Sequence, residues 1–112
     1  MNTKVINVVK CFDPSSPFWR NDREHNKLVV EKTLEYCYEI FRAKRYLFLN
    51  EVYERLSIPF TRTGQVAGWI YNGEHMHDHM WTVWTKDDGY DDVYITFEPI
   101  SNILDVLPEE EL

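Results

Sequence analysis

The chain is poor in glycine, in cysteine and in long apolar runs. Four glycines among 112 residues leave little material for a phosphate-cradling loop, and neither G-x-G-x-x-G nor G-x-x-x-x-G-K occurs. A G-x-S-x-G nucleophile elbow is also missing. The two cysteines, Cys11 and Cys37, are too few for a disulfide scaffold, and neither lies in a C-x-x-C pair. A reducing cytosol is the expected setting, with one Cys11–Cys37 bridge left open. No apolar run approaches the roughly 20 residues of a membrane-spanning helix. Met1, Asn2, Thr3 and Lys4 do not begin a signal peptide. These absences exclude a membrane span, a fibrous rod and a disulfide-stapled miniprotein.

Positive charge is scarce in one half. Residues 1–64 hold 11 Lys and Arg against 8 Asp and Glu, a net of +3. Residues 65–112 hold only Lys86 against 11 acidic residues, a net of -10. Such a half repels a phosphate backbone and attracts a basic protein surface. The competing role is a solvated face that keeps the chain soluble.

What is present suits a folded domain. With 44% apolar residues, the length is one domain's worth. Residues 4–9 read as a short strand, and 12–20, with Pro14 and Pro17, as a turn whose Phe18 and Trp19 pack back on the core. The spacing of Val30, Leu34, Cys37 and Phe41 predicts a helix over about 22–44, its stripe widened by Leu28 and Ile40. Asn21 or Asp22 can cap it, and Arg42, Lys44 and Arg45 suit its C-terminal dipole. Residues 46–49 read as an apolar link. Asn50 then caps a second helix over 51–56, which Pro59 stops.

From Gln65 the pattern turns to strands. Val66–Tyr71 ends in Asn72-Gly73, a hairpin signal, and 79–85 is a second strand. Asp88-Gly89 marks another hairpin before Val93–Phe97. Residues 108–112 form an acidic, flexible tail. The expected fold is α+β: a long and a short helix on one face of a three-stranded antiparallel meander.

Residues 48–72 read F-L-N-E-V-Y-E-R-L-S-I-P-F-T-R-T-G-Q-V-A-G-W-I-Y-N. This stretch resembles a family of short uncharacterised proteins encoded by phages, prophages and mobile elements of Gram-positive bacteria. There, roughly F-L-N-x-V-Y-x-x-L-G-x-P followed by G-W-x-Y joins a long helix to a hairpin. Pro14, Pro17, Phe18, Trp19 and Asn26 fit the family's opening. The likeness covers the first two-thirds of the chain; Ser57 stands where the family has glycine, and 75–84 and 98–112 depart from it. The resemblance implies an origin rather than a mechanism. By genomic analogy it raises the prospect of an inhibitor of a host defence system, such as an anti-CRISPR protein.

His75, His77 and His79 form the one cluster of potential metal ligands. On an extended strand they share a face, with neighbours about 6.6–6.8 Å apart and the outer pair about 13 Å apart. Two imidazoles could share a zinc ion, whose bonds to nitrogen are about 2.0–2.1 Å, but three could not without a bend. Further ligands could come from His25, Glu74 or Asp78. Without such ligands the histidines line an exposed strand rim, where they would charge together near pH 6.

Trp69, Trp81, Trp84, Tyr71, Tyr90 and Tyr94 make 69–94 rich in aromatics. Trp81 and Trp84 are three apart, so on a strand they take opposite faces, and one can stand outside the core. A tryptophan beside Asp87, Asp88, Asp91 and Asp92 is a good protein-binding anchor. An aromatic platform for single-stranded nucleic acid has the wrong surrounding charge. Three readings follow. The first is a cytosolic, non-enzymatic phage protein without a cofactor. It docks Trp81, Trp84 and the four aspartates on a basic protein, such as a defence nuclease, and touches neither nucleic acid nor membrane. The second is a zinc-binding protein or hydrolase built on His75, His77 and His79. The third is a phage structural or assembly component whose open strand edges pair between copies.

Overall fold

A computed structural model describes residues 4–73 and 76–107. The elements run β1 (Val8–Phe12), α1 (Arg23–Lys44), β2 (Tyr46–Phe48), α2 (Leu49–Leu56), β3 (Gly68–Ile70), α3 (His77–Met80), β4 (Trp81–Trp84) and β5 (Val93–Phe97), with a 3-10 turn at Thr63–Gln65 before β3. The expected α+β class is what forms. The tail expected at 108–112 lies outside the described residues.

The long helix forms where its period placed it. Asp22 is the N-cap: its side chain accepts from the backbone N–H of His25. Val30, Leu34, Cys37 and Phe41 are buried, each fully buried aliphatic or aromatic side chain contributing roughly 1.5–3 kcal/mol. Leu28 is not part of that stripe, since it stays 56% exposed. The basic end of the helix is spent internally. Arg42 reaches Glu39, Lys44 reaches Glu51 at 2.6 Å, and the Arg45 guanidinium lies over the Tyr71 ring.

The short helix starts earlier than Asn50. Phe48 precedes its first turn, and its N–H donates to the Glu51 carboxylate at 3.0 Å. The Asn50 side chain instead clamps the loop beyond the helix, donating to the Thr61 carbonyl and accepting from the Thr61 N–H, both at 3.0 Å. Ser57 closes α2 in the left-handed region at φ 57, a conformation that favours glycine.

The sheet corrects the expected meander. β4 and β5 do form an antiparallel hairpin across the Asp88-Gly89 loop, but β1 occupies the other side of β5, giving the order β1-β5-β4. β3 does not pair with β4, so Asn72-Gly73 joins no hairpin. β3 pairs with β2, the segment read as an apolar link. Ile100 ties the two sheets together by exchanging backbone hydrogen bonds with Gly68 at 3.0 and 2.8 Å. β1 also starts later than expected, at Val8, with Val5 making only an isolated bridge to Ile100. The strand expected over 79–85 is shorter, Trp81–Trp84, because His79 and Met80 belong to the helical turn His77–Met80.

Phe12, Trp81, Val93, Ile95 and Phe97 face inward and are buried beneath α1 and α2. Trp69 and Trp81 meet edge to face with ring centroids 5.3 Å apart. Cys37 lies in this core and Cys11 on the other side of the sheet; both are free. No helix among the described residues is long and apolar enough to cross a membrane.

Candidate functional site

Alternation along the strands gives the sheet a second face that carries no helix among the described residues. Val9, Cys11, Thr82, Trp84, Tyr94 and Thr96 stand on it, all exposed or half-buried. Trp84 and Tyr94 are direct cross-strand partners, and their rings stack with centroids 4.8 Å apart and planes 20° apart. Such a pair contributes about 0.5–1.5 kcal/mol beyond its buried area. The Trp84 indole N–H donates to Thr96 Oγ1 at 2.9 Å, which fixes the ring in place. The Lys86 ammonium sits 4.6 Å from the centre of the Tyr94 ring. The result is an aromatic platform of two stacked rings, fixed within the fold.

The acidic loop 85–92 rises beside this platform. It is anchored from α1. Buried Asn26 donates to the carbonyls of Asp91 and Arg20 at 2.8 and 2.7 Å and accepts from the Arg20 N–H at 2.9 Å. Arg23 donates through its guanidinium to the Tyr90 carbonyl at 2.9 and 3.3 Å. Asp88 accepts from the Tyr90 N–H at 3.0 Å, and Gly89 supplies the positive φ of 81 that the turn needs. Asp87 and Asp88 are exposed; Asp91 and Asp92 are half-buried.

A fifth carboxylate joins them. The Phe12–Val93 register brings Asp13 next to Asp92, a neighbour 79 positions away in sequence. Burial, followed by repulsion from Asp13, raises the Asp92 carboxyl from its ordinary value. The Trp19 indole lies close enough to ease this shift without meeting hydrogen-bond geometry. Burial together with Asp92 and Asp13 likewise raises the Cys11 thiol. Cys37 is pushed up to about 11, chiefly by burial. Both sulfurs are therefore thiols at neutral pH and poor nucleophiles. The arrangement offers a fixed pair of aromatic rings beside a cluster of negative charge, which suits a basic surface.

The structure treats the expected site residues differently. Trp84 and the four aspartates are brought together. Trp81, expected beside them, is only 8% exposed and packs against Trp69 and Phe97, so it is withdrawn from the surface. Tyr94 and Asp13 belong to the site and were missed. The signal for Tyr94 was its place opposite Trp84 across the Asp-Gly turn, whereas Asp13 had none, because β1 was not expected in the sheet. Of the histidines, His75 lies outside the described residues. His77 and His79 fall on the α3 turn and not on the extended strand expected for them. His79 is exposed beside an apolar cleft lined by Trp69, Met76 and Met80. Among the described residues no group of three or more His, Cys, Asp or Glu is placed to hold a metal ion.

Comparison with known proteins matches a family profile to residues 1–107. The chain belongs to DUF6353, a family of unknown function. The DUF6353 match runs through 75–84 and ends within the final segment, at residue 107. No curated protein and no solved structure matches this DUF6353 chain.

Proposed function

We propose that this DUF6353 protein works by binding, without catalysis, and that it docks the outer face of its sheet on a basic protein surface. One observation carries the reading: Trp84 and Tyr94 are stacked and locked on an uncovered face at the foot of a tethered loop bearing Asp87, Asp88, Asp91 and Asp92. A rigid aromatic anchor costs little entropy to seat, and the carboxylates around it select a cationic partner and speed its approach. The resemblance of residues 48–72 to phage and mobile-element proteins supplies the setting, the cytosol of a Gram-positive host. A defence nuclease fits as partner, because its nucleic-acid channel is basic, and an acidic rim laid over that channel would block it as an anti-CRISPR protein does.

The test is affinity capture from host lysate with the wild type, Trp84→Ala, and Asp87→Lys with Asp88→Lys, each first checked for folding by circular dichroism. A basic partner should be retained by the wild type, released as salt rises, and lost from both variants. Loss of a central aromatic anchor should weaken binding roughly thirtyfold, equivalent to about 2 kcal/mol. The same captured proteins on all three would defeat the proposal.

A further inference from the structure

Among the described residues β4 is an edge strand, because β5 covers only one of its sides. The Glu98 N–H donates to the Met80 carbonyl at 2.9 Å, and Met80 lies one residue before β4 in the same register. In an antiparallel pair the bonded positions alternate. Thr82 and Trp84 therefore spend their backbone groups on β5, and Trp81 and Val83 direct their N–H and C=O groups away from it. They face a groove of about 590 Å³ between β4 and α1. Leu34, Trp81 and Val83 contribute to its apolar lining, exposed Leu28 stands at its rim, and Glu31 and Glu35 line the helical wall.

The dimensions match an extended chain. Glu31 and Glu35 lie one helical turn apart, about 6 Å along the axis. Side chains on one face of a strand repeat every 6.6–6.8 Å or so. The two repeats agree, so alternate residues of an extended segment seated in the groove match the spacing of the two carboxylates. Lysine and arginine suit both layers of the wall, since their stems cover Leu28 and Val83 and their charged ends reach Glu31 and Glu35. Lys32, also on this wall, holds Glu35 at 3.7 Å with both side chains about two-thirds exposed, a contact weak enough to exchange.

We infer that the groove between β4 and α1 binds an extended peptide segment with Lys or Arg at every second position, which adds to the sheet as a fourth strand beside β4. Recognition comes from backbone bonds at Trp81 and Val83, and selectivity from Glu31 and Glu35. This site shares only β4 with the outer-face platform, so the two readings fail separately.

The probe is a fluorescent six-residue peptide of alternating Lys and Thr, followed by anisotropy and by amide exchange of the full chain. The Lys peptide should bind and slow exchange at the Trp81 and Val83 amides, and a Glu-for-Lys version should not bind. Two further peptides carry N-methyl groups on alternate residues in complementary sets. Pairing along one edge requires that one set abolish binding and the other keep it. Glu31→Gln with Glu35→Gln, both on the exposed helix wall, should weaken binding about tenfold, while Asp87→Lys with Asp88→Lys should leave it within about twofold. The inference is overturned if nothing binds, if the two N-methyl sets act alike, or if only the aspartate variant matters. It is equally overturned if the β4 edge proves to be occupied by a second copy of the chain.

Discussion

Removing Asn26 should loosen the protein and its acidic loop together. The side chain is fully buried and makes three hydrogen bonds, to Arg20 N–H, Arg20 C=O and Asp91 C=O, at 2.9, 2.7 and 2.8 Å. Each contributes about 1 kcal/mol net, and truncation leaves a backbone donor and two acceptors in a half-buried place where water replaces the amide poorly. Asn26→Ala should therefore cost about 3 kcal/mol. For a domain of this size that lowers Tm by roughly 12 °C or more. Urea unfolding followed by tryptophan fluorescence gives the stability, and amide exchange over 86–92 gives the state of the loop. Asn26→Asp keeps the acceptor but puts a charge against two carbonyls, and should be no better. If Asn26→Ala costs less than about 1 kcal/mol and exchange in the loop is unchanged, the Asn26 tether is not what holds the site.

Three further outcomes follow from the backbone and the charges. Ser57→Gly should stabilise by about 0.5–1 kcal/mol in denaturant titrations, because the left-handed cap at φ 57 penalises any side chain and glycine avoids that cost. Gly68→Ala should cost about 3 kcal/mol or more, or prevent folding, since its Cβ would lie 2.1 Å from the Leu47 carbonyl oxygen across the β2–β3 pair; thermal melts against the wild type decide it. Asp92 is held above its unfolded-state pKa, so the folded state takes up its proton first and the penalty of its charge fades as pH falls through the carboxylate range. Asp92→Asn should thus raise Tm at neutral pH and lose that advantage near pH 4.

The sequence was most legible where one period repeats over many residues. The α1 stripe spans three turns, and only Leu28 misled, being apolar yet set at the rim of the β4 groove. Strands of three to five residues carry too little alternation to name their partners. Tyr46-Leu47-Phe48 looked like a link because its pairing with Gly68–Ile70 is set by a glycine that lets two backbones meet. Asn72-Gly73 met the local requirement for a turn, since Gly73 does take positive φ, but tertiary pairing overrode the hairpin. The opposed faces of Trp81 and Trp84 could be read from spacing alone. Which face was buried could not, because it depends on α1 lying on the Ile95 side of the sheet. The Asp13–Asp92 contact depends on the non-local β1–β5 register, for which composition holds no signal.

The outer face of the sheet is tested most directly by photo-cross-linking in host lysate. One version of the protein carries a photoreactive residue in place of exposed Thr82, beside the Trp84–Tyr94 platform, and another carries it in place of exposed Tyr36 on α1. Cross-links to a basic protein from position 82 alone, lost at high salt, are the predicted result. Cross-links from position 36 alone, or products at position 82 that ignore both salt and Trp84→Ala, would contradict it.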